Sequence, residues 1–301
     1  MKKIVFLIIF SALYITGFSQ SDIRLNNYWE NPYFITPAYI TNIYSEVFSM
    51  AARKQWAGFP GAPSTIFASA TMYLDKLQTQ FGVKMFKDQI GYTTTTNVSI
   101  SYAYAAALNE DWRLHLGVAG SYQNLNYDLS KVAEATQNDP ELYETLITET
   151  NYNADLGLEL ASKPFRVGIA SQNFASLFSP GNKQETNTNF LYATYRNYSE
   201  NPIDFSGGAC GVQYGKMCQL ELTASAYFKT EEEGKDRFQV GLFYRTTSEV
   251  GFLCGVNITD ALHLSYSYDY NVSGISRSSY GTHEVMLIYR IPRDPECHNC
   301  Y

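Results

Sequence analysis

A chain of 301 residues with a formal charge of −7 is too acidic to clasp a nucleic-acid backbone, and with 17% charged side chains it is poor in charge for a soluble surface, where about a quarter is usual. Its 25 Tyr and 18 Phe coexist with a mean hydropathy of −0.23, a combination that arises when apolar and polar residues alternate finely. Beyond the N-terminus no segment approaches the roughly 20 continuous apolar residues of a membrane helix.

The chain begins MKKIVFLIIFSALYITGFSQ, with Lys2 and Lys3 ahead of an apolar stretch from Ile4 to Ile15 and small residues at Gly17 and Ser19. That order predicts a secretory signal peptide over residues 1–19, cleaved after Ser19; the apolar stretch is short for a spanning anchor. No Cys lies near the cleavage point, so no lipid anchor is expected. Losing the two lysines takes the charge from −7 to −9. Residues 20–46 come next, containing SDIRLNNYWENPYFITPAYITN. Pro32 and Pro37 discourage regular pairing, while Tyr28, Trp29, Tyr33 and Phe34 need cover from water. This segment, with Asn31, Pro32, Pro37 and Tyr39, is expected either to plug the interior of the downstream strand domain or to rest against its periplasmic rim.

From residue 47 to 292 the pattern changes to strict alternation. In NYNADLGLEL, Tyr152, Ala154, Leu156, Leu158 and Leu160 alternate with Asn153, Asp155, Gly157 and Glu159, so one strand face is greasy and the other wet. QLELTASAYF, LHLSYSYDY and HEVMLIYRI repeat the pattern. About fourteen such segments, each of roughly 9 to 12 residues, start near Val47, Ile66, Leu77, Asn97, Asp111, Asn151, Pro164, Thr188, Asp204, Lys216, Arg237, Glu249, Ala261 and Thr282. Connection lengths alternate too. DKL at Asp75, NED at Asn109 and SKP at Ser162 are brief, whereas the stretches 124–150, 173–187 and 271–281 are long, as periplasmic turns and external loops are in outer-membrane barrels; KTEEEGKD near Glu232, long for a turn, and YGK near Gly215, short for a loop, are the exceptions. The acidic stretch SKVAEATQNDPELYETLITET within the longest of these is rich in helix formers.

A secreted β-sandwich would also bury one face of each strand. Strand length, Tyr content suited to interfacial girdles and alternating connections predict instead a closed antiparallel transmembrane β-barrel of about 14 strands, both termini periplasmic, since an open edge in lipid leaves backbone donors unsatisfied. Its lumen is wider than wall side chains alone fill. If open, and lined by Asp155, Glu159 and Glu221, it would make a pore for small solutes or lipids; if filled, a scaffold.

Between the first two strands, RKQWAGFPGAPST sets two cations and a Trp into a frame of Gly and Pro. Gly opens backbone angles closed to other residues and Pro fixes its own, so this is a stiff, shaped turn. Arg53, Gln55, Trp56, Gly58, Gly61, Ala62 and Pro63 form the candidate partner-binding or gating loop, with Arg53 and Lys54 as donors and Trp56 as anchor; the alternative seats Trp56 in the outer aromatic girdle. Catalytic patterns are missing. His263 and Asp269 share a wet face but lie roughly 20 Å apart along a strand, His115 and His283 read as hydrogen-bonded lumen residues, and no phosphate loop or HExxH occurs. No enzymatic activity, cofactor or metal is expected. Cys297 and Cys300, in the tail 293–301, suit a disulfide or a contact with a periplasmic partner. Cys210 and Cys218 would face each other across a hairpin centred on Tyr214, leaving Cys254 buried.

NPYFITPAY, RKQWAGFPGAPST, NVSISYAYAAAL, SYSYDYNVSGIS, GTHE and the closing CHNCY resemble, in this order, the signatures of the PorP/SprF family. The match runs over nearly the whole mature chain, with Thr36 standing where the family more often has Asn. The resemblance implies an outer-membrane barrel of the type IX secretion and gliding machinery of Bacteroidetes. Its implied partners are periplasmic and peptidoglycan-associated ring or linker components of that machinery, secreted adhesins or other cargo with C-terminal sorting domains, and outer-membrane lipids.

Overall fold

The computed structural model describes residues 24–128, 149–178, 186–230, 234–272 and 279–293. The expected signal peptide, the centre of the long acidic loop, and Cys297 and Cys300 lie outside the described residues.

Fourteen strands run in chain order: β1 Tyr44–Lys54, β2 Ser64–Leu74, β3 Thr79–Ile90, β4 Thr93–Ala107, β5 Arg113–Tyr127, β6 Glu149–Ala161, β7 Phe165–Gln172, β8 Thr188–Arg196, β9 Ile203–Tyr214, β10 Met217–Lys229, β11 Asp236–Arg245, β12 Glu249–Asn257, β13 Leu262–Asn271 and β14 Thr282–Pro292. Each pairs antiparallel with its chain neighbour, and β1 pairs with β14 from Tyr44 opposite Pro292 to Lys54 opposite His283, closing the barrel. Closure leaves no edge, which is what a sheet in hydrocarbon requires. Prolines fall where no ladder bond is lost: Pro164 and Pro202 precede β7 and β9, and Pro292 ends β14.

Burial is the inverse of a water-soluble fold. Ile100 is 69% and Leu242 62% exposed on the outer wall, whereas Glu159, Glu221 and Glu284 are each 0% exposed inside. A sandwich would bury the apolar face; here lipid takes that role.

Strands β8, β12 and β14 start at the expected residues and β1 three residues earlier, at Tyr44. β4 starts at Thr93 rather than Asn97, because Thr93 to Thr96 are uniformly polar and carry no alternation. β3 starts at Thr79 rather than Leu77: Asp75–Leu77 form a 3-10 turn that ends on Gln78, whose φ is 51°. Strand lengths run from 8 to 15 residues, wider than the expected range.

The cysteine pairing fails on register. Tyr214 lies opposite Met217, so the hairpin turns on Gly215 and Lys216; Cys218 then faces Gln213, and Cys210 faces Glu221. Cys210, Cys218 and Cys254 are free, with Cys210 buried in the lumen, Cys218 exposed on the outer face and Cys254, expected to be buried, partly exposed. In variants retaining one cysteine each, a maleimide is expected to label Cys218 in the folded, detergent-solubilised barrel and Cys210 only after unfolding. Equal labelling of the two in the folded state would contradict this register.

Candidate functional site

Residues 24–43 settle inside the barrel rather than at its rim. Two 3-10 turns, Asn27–Trp29 and Pro32–Phe34, shape the segment, and Pro32 opens the second where its missing N–H costs nothing. Asn31 caps that turn by accepting from the Tyr33 N–H at 3.3 Å and donates to Ser49 Oγ of β1 at 2.7 Å. The Tyr33 hydroxyl meets Ser101 Oγ of β4 at 2.6 Å. Backbone carbonyls of the plug accept from the wall: Phe34 from Gln172 of β7 at 2.8 Å, Tyr39 from Gln80 of β3 at 2.8 Å and Ile40 from Arg166 of β7 at 3.1 Å. The Arg166 guanidinium stacks 4.7 Å from the Tyr39 ring centroid. Thr36, where the family more often has Asn, keeps a local bond, its Oγ1 accepting from the Ala38 N–H at 3.2 Å. Asn31, Pro32 and Pro37 are buried and Tyr39 half-buried. Burial pushes the Tyr28 phenol well above its ordinary pKa and that of Tyr33 up to about 12, so both stay neutral.

The wall is shaped to this occupant. At Gly117 of β5, a Cβ would run into the backbone of Pro37 and Ala38. Only a residue without a side chain allows plug and wall to approach so closely.

The charges of the mouth-side lumen form one network. Arg53 of β1 lies 3.8 Å from Asp269 of β13 and 3.7 Å from Glu284 of β14, and donates to Gln55 at 2.8 Å. Glu284 accepts from the backbone N–H groups of Asn26 and Asn27 at 2.6 and 2.8 Å. Asn26 also donates to Asp269 at 2.9 Å and accepts from Arg245 of β11 at 2.9 Å. Arg245 pairs with Glu249 at 3.0 Å and with Glu221 of β10, which in turn holds Arg24 at 2.9 Å and the Trp29 indole N–H at 2.5 Å. A second cluster centres on Glu159 of β6, which meets His115 of β5 at 2.9 Å, Arg166 at 2.7 Å and the Tyr192 hydroxyl of β8 at 2.7 Å. Lys84 of β3 pairs with Asp155 of β6 at 3.3 Å. These buried carboxylates thus find cations, as desolvation demands, while buried Asp88 accepts from the Thr65 hydroxyl.

The predicted loop divides in two. Arg53, Gln55, Ala62 and Pro63 are buried, Trp56 is half-buried, and Gly58 to Gly61 form an exposed apex. Gly58 adopts φ +88°, closed to side chains, and sits against the Tyr280 ring. Two backbone bonds clamp the loop to the β13–β14 connection, Ala57 N–H to Gly281 O at 2.8 Å and Tyr280 N–H to Ala57 O at 2.7 Å. The inward fold makes Arg53 and Gln55 part of the lumen network rather than the external surface. His283, expected in the lumen, stands instead on the outer wall with Val285, where its Nδ1 meets the Tyr266 hydroxyl at 2.7 Å; its neighbours Thr282 and Glu284 take the inward positions. Arg24, Asn26, Asn27, Arg166 and Arg245 do not stand out in the sequence. Their signal is present only as polar residues on the wet faces, or in the proline-interrupted segment.

A closed, lipid-facing wall of fourteen strands around a polar interior defines an outer-membrane β-barrel protein. The model of the family described as type IX secretion system membrane protein PorP/SprF matches residues 17–289. The chain therefore belongs to the PorP/SprF family of type IX secretion system membrane proteins, and its closed barrel places it in the outer membrane. Among solved structures, it is similar to the outer membrane protein Omp33 of Acinetobacter baumannii, at 12% identity over 82% of this chain and 98% of that one, with a TM-score of 0.48. It is also similar to the toluene transporter TodX of P. putida, at 9% identity over 88% and 95%, with a TM-score of 0.45. No curated protein sequence matches it.

Proposed function

We propose that this chain serves the type IX secretion machinery as an outer-membrane scaffold. It assists export or surface attachment of cargo carrying C-terminal sorting domains, such as adhesins, through protein contacts rather than catalysis. The observation that carries this reading is the occupied lumen: residues 24–43 bond to strands around the circumference, and such a barrel suits anchorage better than permeation. The clamped mouth loop supports it as well. It presents Phe59, 44% exposed, with Pro60 on a frame that loses little entropy on binding. On this reading the opposite rim, where β1 begins and β14 ends, meets periplasmic or peptidoglycan-associated components. Deleting the gene and comparing surface and periplasmic proteomes tests it. At least one sorting-domain protein is expected to leave the surface fraction while small-solute uptake stays unchanged; intact surface display with impaired uptake would make the chain a pore.

A further inference from the structure

Arg24, Arg53, Lys84, Arg166 and Arg245 in the lumen each meet a carboxylate, but the outer wall near the mouth carries a different cluster. Outward positions of four neighbouring strands line up there: His283 lies opposite Lys54, Lys54 opposite Ser64, and Ser64 opposite Gln89. One row nearer the middle, Val285, Ala52, Ile66 and Lys87 stand in the same strand order. The next row, Leu287, Met50, Ala68 and Met85, is wholly apolar. The two upper rows line a depression of about 410 Å³.

No carboxylate lines it among the described residues. Asp88 and Glu284, adjacent in sequence to Lys87 and His283, are buried on the lumen side. Lys54 is tethered by a neutral partner, the Ala62 carbonyl, at 2.8 Å. Lys87 is exposed and forms no ion pair among the described residues. The His283 Nδ1 is taken by Tyr266, which leaves Nε2 as its remaining polar atom. Below them Met50 is 60% and Ile66 56% exposed, surfaces suited only to hydrocarbon. Two cations and three further hydrogen-bonding side chains above an apolar band match an amphiphile with an anionic head and alkyl tails.

We propose that this depression binds the phosphate of an outer-leaflet lipid, between Lys54 and Lys87, with Ser64, Gln89 and His283 as hydrogen-bonding partners and the acyl chains over Ile66, Met50 and Met85. The site goes beyond the scaffold reading and does not depend on it. It requires the long-loop end of the barrel to face outward, as short turns on the terminal side imply.

Native mass spectrometry of the full-length protein in detergent tests it, with a diphosphorylated glucosamine-disaccharide lipid as probe. Wild type is expected to retain the probe and to lose it when both phosphates are removed from the lipid. Lys54→Gln with Lys87→Gln is expected to weaken retention roughly 25-fold, about fivefold per lysine, and Lys87→Arg to keep it. Heat-modifiable gel migration reports folding; should the double variant fail that check, Lys87→Gln alone, which breaks no contact, carries the test with its fivefold loss. Retention unchanged by these substitutions overturns the site. Displacement of the lipid by inorganic phosphate at equal concentration makes it a free-anion site and overturns the lipid assignment, as does equal competition by a soluble polyglutamate peptide, which marks a protein surface.

Discussion

Deleting residues 24–43 is expected to turn a poorly conducting barrel into an open channel that still folds. The segment contributes buried Leu25, Tyr28, Phe34, Ile35 and Ile40, yet its loss differs from the loss of a soluble core. Water enters in its place, and a barrel of this strand number tolerates a wet lumen because its stability rests on ladder hydrogen bonds and the lipid-facing wall. Charges now held by the plug, Glu284 and Glu221 among them, become hydrated rather than stranded. Planar-bilayer recordings of the deletion variant, paired with heat-modifiable gel migration, give the measurement. A folded variant conducting no better than wild type would show that residues 24–43 do not obstruct the lumen.

Arg245→Ala is expected to destabilise the barrel by roughly 3–5 kcal/mol, the range for stripping one partner from a buried ion pair. Arg245 is 1% exposed and touches Glu221, Glu249, Asp269 and the Asn26 side chain. Truncation leaves those carboxylates sharing Arg24 and Arg53, in a space the plug keeps from filling with water. Adding Glu221→Gln should recover part of the loss, since it removes a charge that has lost its partner. Urea unfolding in detergent, followed by tryptophan fluorescence, reads both. A loss below about 1 kcal/mol, the scale of exposed pairs, would mean that water screens the network and the lumen is not dry.

Much of the wall was legible in the sequence because alternation is a local signal. A strand such as Leu262–Asn271 declares its two faces within ten residues, and lipid enforces the pattern on every span. Legibility failed where the signal weakened or depended on one residue of register. The Thr93 to Thr96 run hid four residues of β4, and a turn on Gly215 and Lys216 rather than Tyr214 separated Cys210 from Cys218. His283 shows that the pattern outranks residue type. A polar side chain invited the lumen, but its parity with Val285 placed it outside.

The site was legible only in pieces. Prolines and aromatics marked residues 20–46 as something needing cover, without choosing between interior and rim. That choice depends on acceptors far away in the chain, such as Glu284 for the Asn26 N–H, and on distant donors such as Gln172 for the Phe34 carbonyl, which no local pattern encodes. The segments carrying the family resemblance converge: Arg53 from the first loop, Asp269 from SYSYDY, Glu284 from GTHE and the plug beside NPYFITPAY share one network.

The plug precedes every strand in the chain, yet its Asn26 and Asn27 are received by Asp269 and Glu284 on the last two strands. A polypeptide truncated before β13 would hold its opening residues without a berth, and the seam between β1 and β14 would have nothing to zip against. Residues 24–43 therefore act as an inspector of completeness: their full set of partners exists only once the final hairpin is in place.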